Sequence, residues 1–150
     1  ADVKKGFSVS VYAKAQDNAD KNHLGIVATR FQDNETGFRI KYRSFENADR
    51  FYVHIGKEGE YAEITKDSCL NRWCHYAFTY NPNGKVLMYL NGELVKEFKT
   101  EKNLILENEI NLGHEISVNL DWFIGEITDV RIYEGVLSKK EINELSQKIK

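Results

Sequence analysis

Apolar and polar residues alternate along many short stretches of this chain. In the stretch FSVSVYAK at residues 7–14, Phe7, Val9 and every second residue after them would share one face of an extended strand. Similar stretches, rich in β-branched and aromatic residues, recur about every ten residues between clusters of Asn, Asp, Gly and Lys. This pattern predicts an antiparallel β sandwich. The predicted strands are 7–14, 23–30, 36–43, 50–56, 60–65, 73–80, 85–90 and 93–99, with a weaker pattern at 109–113.

Two tight-turn signals and one long apolar stretch predict how some of these strands are arranged. The pairs Asn83-Gly84 and Asn91-Gly92 separate three consecutive strands, and both residue types tolerate the positive φ angles of hairpin turns. We therefore expect residues 73–99 to form a meander. The stretch 123–133 carries apolar residues on both faces of a regular strand, which predicts a central strand covered on both sides.

The chain closes with a helical pattern, SKKEINELSQKI, at residues 138–149. Ser138 and Glu141 have the spacing of a capping box, and Ile142, Leu145 and Ile149 fall on one helical face. These features predict a short C-terminal helix that docks on the sandwich. The sequence has no internal repeat, low-complexity tract or Pro-rich linker, so we expect a single domain over residues 1–150.

Composition and charge exclude several classes of partner. A chain of 150 residues, 41% of them hydrophobic, can bury a core without help from a metal or a disulfide framework. The formal net charge of -2 offers no overall attraction to nucleic acid or to an anionic membrane, and no apolar run approaches the roughly 18 residues that cross a bilayer. We therefore predict no nucleic-acid partner and no membrane insertion. Because the chain starts at Ala1 without a leader pattern, we expect it to be processed or to be cut from a longer protein.

The two cysteines leave two interpretations open. Cys69 and Cys74 are too few for a disulfide scaffold, and no His or Cys lies at zinc-finger spacing from them. They can form a disulfide around the four residues between them, or they can be two buried thiols. The cysteine count alone does not identify the redox compartment.

Four segments taken in order resemble the laminin G-like branch of the concanavalin A-like lectin and glucanase superfamily. They are FSVSVYAK (7–14), NRWCHYAFTYNPNGKVLMYLNGELV (71–95), INLGH (110–114) and FIGEITDVRIYEGVLSKKEINEL (123–145). The resemblance implies an all-β fold: an antiparallel two-sheet jelly-roll sandwich with a short C-terminal helix. It is similar to carbohydrate-binding modules, sialidase lectin domains and the lectin-like part of clostridial neurotoxins.

The chain departs from the family pattern at two places that bear on its fold and its metal content. The early strand with an F-D-G stretch is missing, and Thr128 occupies the position of the family's calcium-binding Asp. A hydroxyl replaces a carboxylate poorly on a hard cation. We therefore predict no cofactor from the inherited ligand set and leave calcium as an open alternative. Asp17, Asn18, Asp20 and Asn22 could supply oxygen ligands, but they lack the spacing of a dedicated calcium loop and also suit an ordinary turn.

The carboxylates and histidines give no sign of catalysis. The resemblance would imply a Glu-x-Asp-x-x-Glu pattern in a glucanase, where two carboxylates about 5 Å apart do the chemistry, and that pattern is absent. The closest pairs are Glu58 with Glu60 and Glu107 with Glu109, which we interpret as solvated charges in loops. The four histidines form no metal pair, and His75, in the family's W-x-H strand, is interpreted as structural. We predict that the protein is not an enzyme.

The third and fourth predicted strands suggest a binding surface. Alternation through 36–43 places Arg39, Lys41 and Arg43 opposite the apolar residues, and alternation through 50–56 does the same for Tyr52 and His54. If the two strands pair with their apolar sides inward, these five side chains share the outward face. Arg meets a carboxylate or sulfate with two hydrogen bonds, and a Tyr ring packs on a sugar face. The alternative is that Arg and Lys simply occupy the wet side of a sheet.

The two tryptophans receive different interpretations. Trp122 precedes the long strand and is a candidate sugar-stacking platform at the rim, or else a plug at the end of the core. Trp73 opens the W-x-H strand, where the resemblance implies a core residue.

The function predicted from the resemblance and the basic surface is non-catalytic carbohydrate binding. The predicted glycan site comprises Arg39, Lys41, Arg43, Tyr52, His54 and Trp122. The expected ligand is a glycan, acidic or sialylated in particular, and the expected context is a secreted or cell-surface bacterial protein, with other domains of the same polypeptide as further partners. The alternative is a protein-interaction or spacer domain of a larger extracellular protein, because one fold hosts many functions.

Overall fold

The computed structural model of the chain describes residues 5–16, 24–29, 37–101, 110–113 and 123–149. In these ranges the chain forms ten β-strands and one α-helix. The strands are β1 (Phe7–Ala15), β2 (Leu24–Thr29), β3 (Phe38–Ser44), β4 (Asp49–Ile55), β5 (Glu58–Ile64), β6 (Trp73–Tyr80), β7 (Lys85–Leu90), β8 (Glu93–Lys99), β9 (Ile110–Leu112) and β10 (Gly125–Glu134). The helix is α1 (Lys139–Ser146).

The strands form two antiparallel sheets of five strands each. The first sheet has the order β10-β1-β6-β7-β8 and the second has the order β5-β4-β3-β2-β9. Strands β6, β7 and β8 form the predicted meander, and both Asn91 and Gly92 adopt positive φ angles (51° and 84°) in the two-residue turn between β7 and β8. The predicted antiparallel two-sheet jelly-roll sandwich with a short C-terminal helix is confirmed.

The core lies between the two sheets and is rich in aromatic rings. Phe38 of the second sheet meets two rings of the first sheet, with centroid distances of 5.6 Å to Phe7 and 5.3 Å to Phe78. Phe51 packs edge-on against Tyr76 at 5.1 Å. Burial of these rings holds the sheets together, because each removes a large apolar area from water. Other fully buried core residues are Val9, Val11, Ile26, Ile40, Val53, Ile55, Val86 and Met88.

Helix α1 covers part of the outer face of the first sheet, as predicted. Its capping box is formed: the Ser138 hydroxyl accepts from the Glu141 amide at 3.2 Å, and the Glu141 carboxylate accepts from the Ser138 amide at 3.1 Å. Ile142 is fully buried against Ala77 and Tyr89 of the first sheet. The helix therefore occupies one outer side of the sandwich.

The hydroxyl of Tyr12 ties the C-terminal end of the helix to the first sheet. It donates to the carbonyl of Leu145 and accepts from the amides of Lys148 and Ile149 at 3.1 and 3.3 Å. Tyr12 is almost completely buried, so these bonds satisfy a hydroxyl that burial would otherwise leave without water.

Strand β10 lies at the edge of the first sheet, so the prediction of a central strand covered on both sides is wrong. Its register against β1 shifts between Ser10 and Tyr12, and Asp129 has a φ of 52° at this β-bulge. Because the bulge adds one residue, Ile127 before it and Val130 after it both pack against the core. Apolar residues that would alternate between two faces of a regular strand therefore share one face.

Strand β6 presents Trp73 and His75 to the outer face of the first sheet, not to the core. Trp73 is half-buried and lies outside the core between the sheets, whereas Cys74 and Tyr76 face that core. The prediction of a core Trp73 is therefore wrong. His75 is only 1% exposed, and its ring lies 4.7 Å from that of Tyr12. This packed position is what a structural histidine would occupy.

We expect His75 to make the fold less stable as the pH falls from about 6.5 toward 4. Burial lowers the pKa of His75 from 6.5 to about 4, an effect that Asp129 partly offsets and Arg131 reinforces. In this range the unfolded chain binds a proton that the folded chain does not, so the free energy of unfolding rises with pH. The full difference corresponds to roughly 3 kcal/mol. Urea unfolding at several pH values should show a flatter pH dependence for His75→Gln than for the parent chain, and equal slopes would contradict this assignment.

Cys69 and Cys74 form a disulfide in the connection between β5 and β6. Their Cα atoms are 5.7 Å apart, and both residues are buried. The bridge closes the short loop that leads into β6, so the interpretation as two buried thiols is excluded.

Candidate functional site

The predicted pairing of the third and fourth strands is confirmed. In the register of β3 with β4, Arg39 lies opposite His54, and Lys41 lies opposite Tyr52. Arg43 also lies on this side of the sheet, so all five predicted residues share the outer face of the second sheet, which we call the basic face. Within the ranges that the structure describes, the single helix packs on the first sheet, and no helix or strand covers the basic face.

The basic face is less exposed than the sequence suggested. Lys41 is only 7% exposed, and Arg39, Arg43, Tyr52 and His54 are half-buried. The expectation of a fully exposed Lys41 is therefore wrong. Its position explains this burial, because β3 lies in the middle of the second sheet, with neighbours on both sides. Long basic side chains in such a position cover apolar surface with their stems.

A row of aromatic rings crosses β4 and β5 on the basic face. The ring of Tyr52 stacks nearly parallel to that of His54, with an angle of 12° and 6.1 Å between centroids. On its other side the Tyr61 ring lies 5.5 Å away, tilted by 48°. Tyr61 is 38% exposed and was not among the predicted site residues. The alternation of Tyr61 with the inward-facing Ala62 and Ile64 is the signal that would have placed it on this face.

Arg50 is a second residue that the sequence analysis left out of the site. Its guanidinium carbon lies 4.0 Å from the centroid of the Tyr61 ring and 4.3 Å from that of the Phe45 ring. It also donates a 3.4 Å hydrogen bond to the Tyr52 hydroxyl, which raises the pKa of Arg50. Arg50 alternates with Tyr52 on the same side of β4, so the pattern already contained this signal. Phe45 lies in the turn after β3, where strand alternation no longer applies.

A cavity of about 340 Å³ opens at the turn between β3 and β4, beside Arg50. Its size is at the lower end of the range of ligand pockets. Its lining combines a cation, two carboxylates, an amide and a ring. The residues are Phe45, Glu46, Asn47, Ala48, Arg50 and Glu63. Such a set can bind a molecule that carries several hydroxyl groups, because hydroxyls both donate and accept hydrogen bonds.

Gly59 makes room for the His54 ring. A Cβ atom on Gly59 would lie 2.2 Å from Nδ1 and 2.6 Å from Cγ of His54. We therefore expect Gly59→Ala to push the His54 ring away from Tyr52, which NMR contacts between the two rings would report. In a His54→Ala background the same change should cost nothing, because the clash is gone. A double-mutant cycle on the free energy of unfolding measures this coupling, and additive effects would contradict the packing described here.

The remaining predicted ligand residues lie outside the described ranges. Trp122 and the loop residues Asp17, Asn18, Asp20 and Asn22 are among them, so their predictions stay as stated. The carboxylate pair Glu107 and Glu109 lies outside as well.

The position inherited from the family's calcium site does not suit a metal. Thr128 is exposed and offers only a hydroxyl, and the neighbouring Asp129 carboxylate accepts a 2.8 Å charge-assisted hydrogen bond from Nε of Arg131. In the part of the chain that the structure describes, no three His, Cys, Asp or Glu side chains are grouped as metal ligands. A calcium ion at Thr128 would lack the carboxylates that this cation prefers.

Glu58 and Glu60 lie in β5 and not in a loop, which corrects the sequence-based interpretation. Both are exposed, as expected for solvated charges. Glu58 accepts a hydrogen bond from the hydroxyl of Thr100. This contact gives Glu58 a structural partner near the edge where β5 approaches β8.

The fold is similar to those of several solved binding proteins. A heptameric SAP-like pentraxin from Limulus polyphemus superposes with a TM-score of 0.75 at 16% identity, covering 95% of this chain and 70% of that one. The receptor-binding domain of botulinum neurotoxin type G matches with a TM-score of 0.69 at 16% identity, and that of the C/D mosaic serotype with 0.68 at 21%. The chain spans only 38% and 36% of these two toxin domains.

Two further comparisons complete the picture. No curated protein sequence matches the chain. Among the helices that the structure describes, none is long and apolar enough to span a membrane. The model of one family, described as the concanavalin A-like lectin/glucanases superfamily and of the laminin G type, matches residues 1–143. The chain therefore belongs to the concanavalin A-like lectin/glucanases superfamily.

Proposed function

We propose that this protein is a non-catalytic carbohydrate-binding domain that recognises a glycan on the basic face. The observation that carries the proposal is the assembly of Arg39, Arg43, Arg50 and Tyr52 on one side of the second sheet, the side opposite the helix. Arginine forks bind the oxygens of sugars and their acidic groups, and aromatic rings pack on sugar faces. An acidic glycan, sialylated in particular, suits this set best.

Other observations support this role without deciding it. The similar toxin structures are receptor-binding domains by name, and the superfamily includes lectins. The described carboxylates include no buried pair of the kind that glycoside hydrolysis needs, and the glucanase motif is missing from the sequence. The disulfide suits an oxidising compartment, so we propose a secreted or surface location.

A glycan array tests the function directly. The isolated domain should bind a restricted class of glycans, with acidic members preferred, and the binding should persist when calcium is replaced by a chelator. Persistence is expected because the basic face uses cationic side chains and needs no metal. Binding to no glycan in either condition would contradict the proposal and favour a protein-interaction or spacer role.

A further inference from the structure

Two arginines occupy directly opposite positions at the turn end of the β3–β4 hairpin. Arg43 pairs with Arg50 in the register, and their guanidinium carbons lie 4.4 and 4.3 Å from the centroid of the same ring, that of Phe45. Like charges directly across a sheet normally destabilise the pair. The Phe45 ring offsets part of this cost through cation–π contacts. The arrangement would be stabilised further by an anion bound near both guanidinium groups.

Arg50 is held in place but is not neutralised by a carboxylate. Its plane is fixed by Phe45 and Tyr61 and by the hydrogen bond to Tyr52. Glu63 lies opposite Arg50 in the register with β5, yet the two side chains form no ion pair. A guanidinium has five N–H donors, and the bond to Tyr52 uses one of them. Arg50 is therefore pre-organised to donate to an incoming anion.

The cavity beside Arg50 indicates what kind of anion fits. Glu46 and Glu63 line it together with Asn47, and their carboxylates would repel a compact anion such as free phosphate from that side. The same oxygens accept hydrogen bonds from hydroxyl groups. A suitable ligand therefore places its charge at the arginines and its hydroxyls toward the carboxylates. A sugar that carries one anionic substituent has this distribution.

We propose that Arg43, Phe45 and Arg50 form the subsite for the anionic substituent of an acidic sugar, whose hydroxyl-bearing part enters the cavity at the β3–β4 turn. This inference rests on the proposed function and places its specificity at the turn end of the basic face. Arg39, at the other end of β3, lies outside this subsite. The shared chemistry is a carboxylate or a sulfate, either of which a planar guanidinium binds through two hydrogen bonds.

The experiment uses an array of matched glycans that differ only in the anionic group. Sialylated glycans are paired with their desialylated forms, and sulfated glycans with their desulfated forms. The parent chain should prefer the acidic member of at least one pair. Arg50→Ala should reduce binding to that acidic glycan by roughly tenfold to a hundredfold and leave binding to its neutral partner nearly unchanged. Arg50→Lys keeps the charge but loses the planar fork, so an intermediate loss is expected.

Lys139→Ala on the opposite side of the sandwich is the matched control, because it removes one exposed positive charge far from the subsite. It should not change the preference. Equal binding to acidic and neutral partners, or a preference that survives Arg50→Ala, would overturn the subsite while leaving glycan binding intact. Absence of binding to every glycan would overturn the proposed function and the subsite with it. The pair that shows the preference identifies the group as carboxylate or sulfate.

Discussion

Replacing Phe78 with alanine should lower the free energy of unfolding by about 4 kcal/mol. Phe78 is fully buried between the sheets, with ring centroids 5.3 Å from Phe38 and 6.4 Å from Phe7. Truncation removes contacts to both sheets and leaves a cavity that the surrounding rings cannot fill, which typically costs 3–5 kcal/mol for Phe→Ala, or roughly 10 °C in melting temperature for a domain of this size. Urea unfolding followed by circular dichroism measures the change.

The matched control for this prediction is Trp73→Ala, which removes a larger ring from the same strand. Trp73 is half-buried on the outer face and lies outside the core. We therefore expect a clearly smaller loss than for Phe78→Ala, even though the sequence pattern alone would rank the two the other way. A loss at Trp73 equal to or greater than that at Phe78 would contradict the assignment of the two faces of β6.

Replacing Arg39 and Arg43 together with alanine should abolish glycan binding without unfolding the domain. Each side chain is half-buried on the basic face, and each can donate charge-assisted hydrogen bonds to a ligand. Such bonds contribute about 1.5–3 kcal/mol, so each single variant should lose roughly tenfold or more in affinity and the double variant roughly a hundredfold or more. Calorimetric titration with the glycan that binds best on the array measures the loss.

Stability and net charge provide the controls for the arginine variants. Arg43 loses its contact with the Phe45 ring and Arg39 loses a 3.4 Å hydrogen bond to the Gly56 carbonyl, so the free energy of unfolding should change by only about 1 kcal/mol. The variant Lys139→Ala/Lys140→Ala removes two exposed positive charges from the helix and should bind like the parent chain. Full affinity in the Arg39→Ala/Arg43→Ala variant would rule out the basic face as the site.

The sequence was most informative where local chemistry determines the backbone. Strands β6, β7 and β8 begin and end at the predicted residues because the Asn-Gly turns between them permit few other conformations. The capping box likewise located α1 to within one residue of its N-cap, Ser138. The pairing of β3 with β4 followed from strict alternation, since a slip of one residue would bury Arg39 and Arg43.

The errors have one physical cause, which is that alternation shows that two faces differ but not what covers each face. In β10 the bulge at Asp129 interrupts the alternation, so a one-sided edge strand resembled a two-sided central one. On β6 the outer face is partly covered by the helix, and Trp73 and His75 lie on it for that reason. The contacts of Arg50 with Phe45 depend on the turn geometry, which no periodic pattern encodes.

The central claim, that glycan binds on the basic face, is tested most directly by an NMR titration of the isotopically labelled domain with the best-binding glycan. The account predicts saturable shifts of amide signals concentrated in β3, β4 and β5, with Arg43, Arg50 and Tyr52 among the most affected and the helix α1 unchanged. Shifts concentrated in α1 or in the β7–β8 hairpin, with β3 and β4 unaffected, would contradict it.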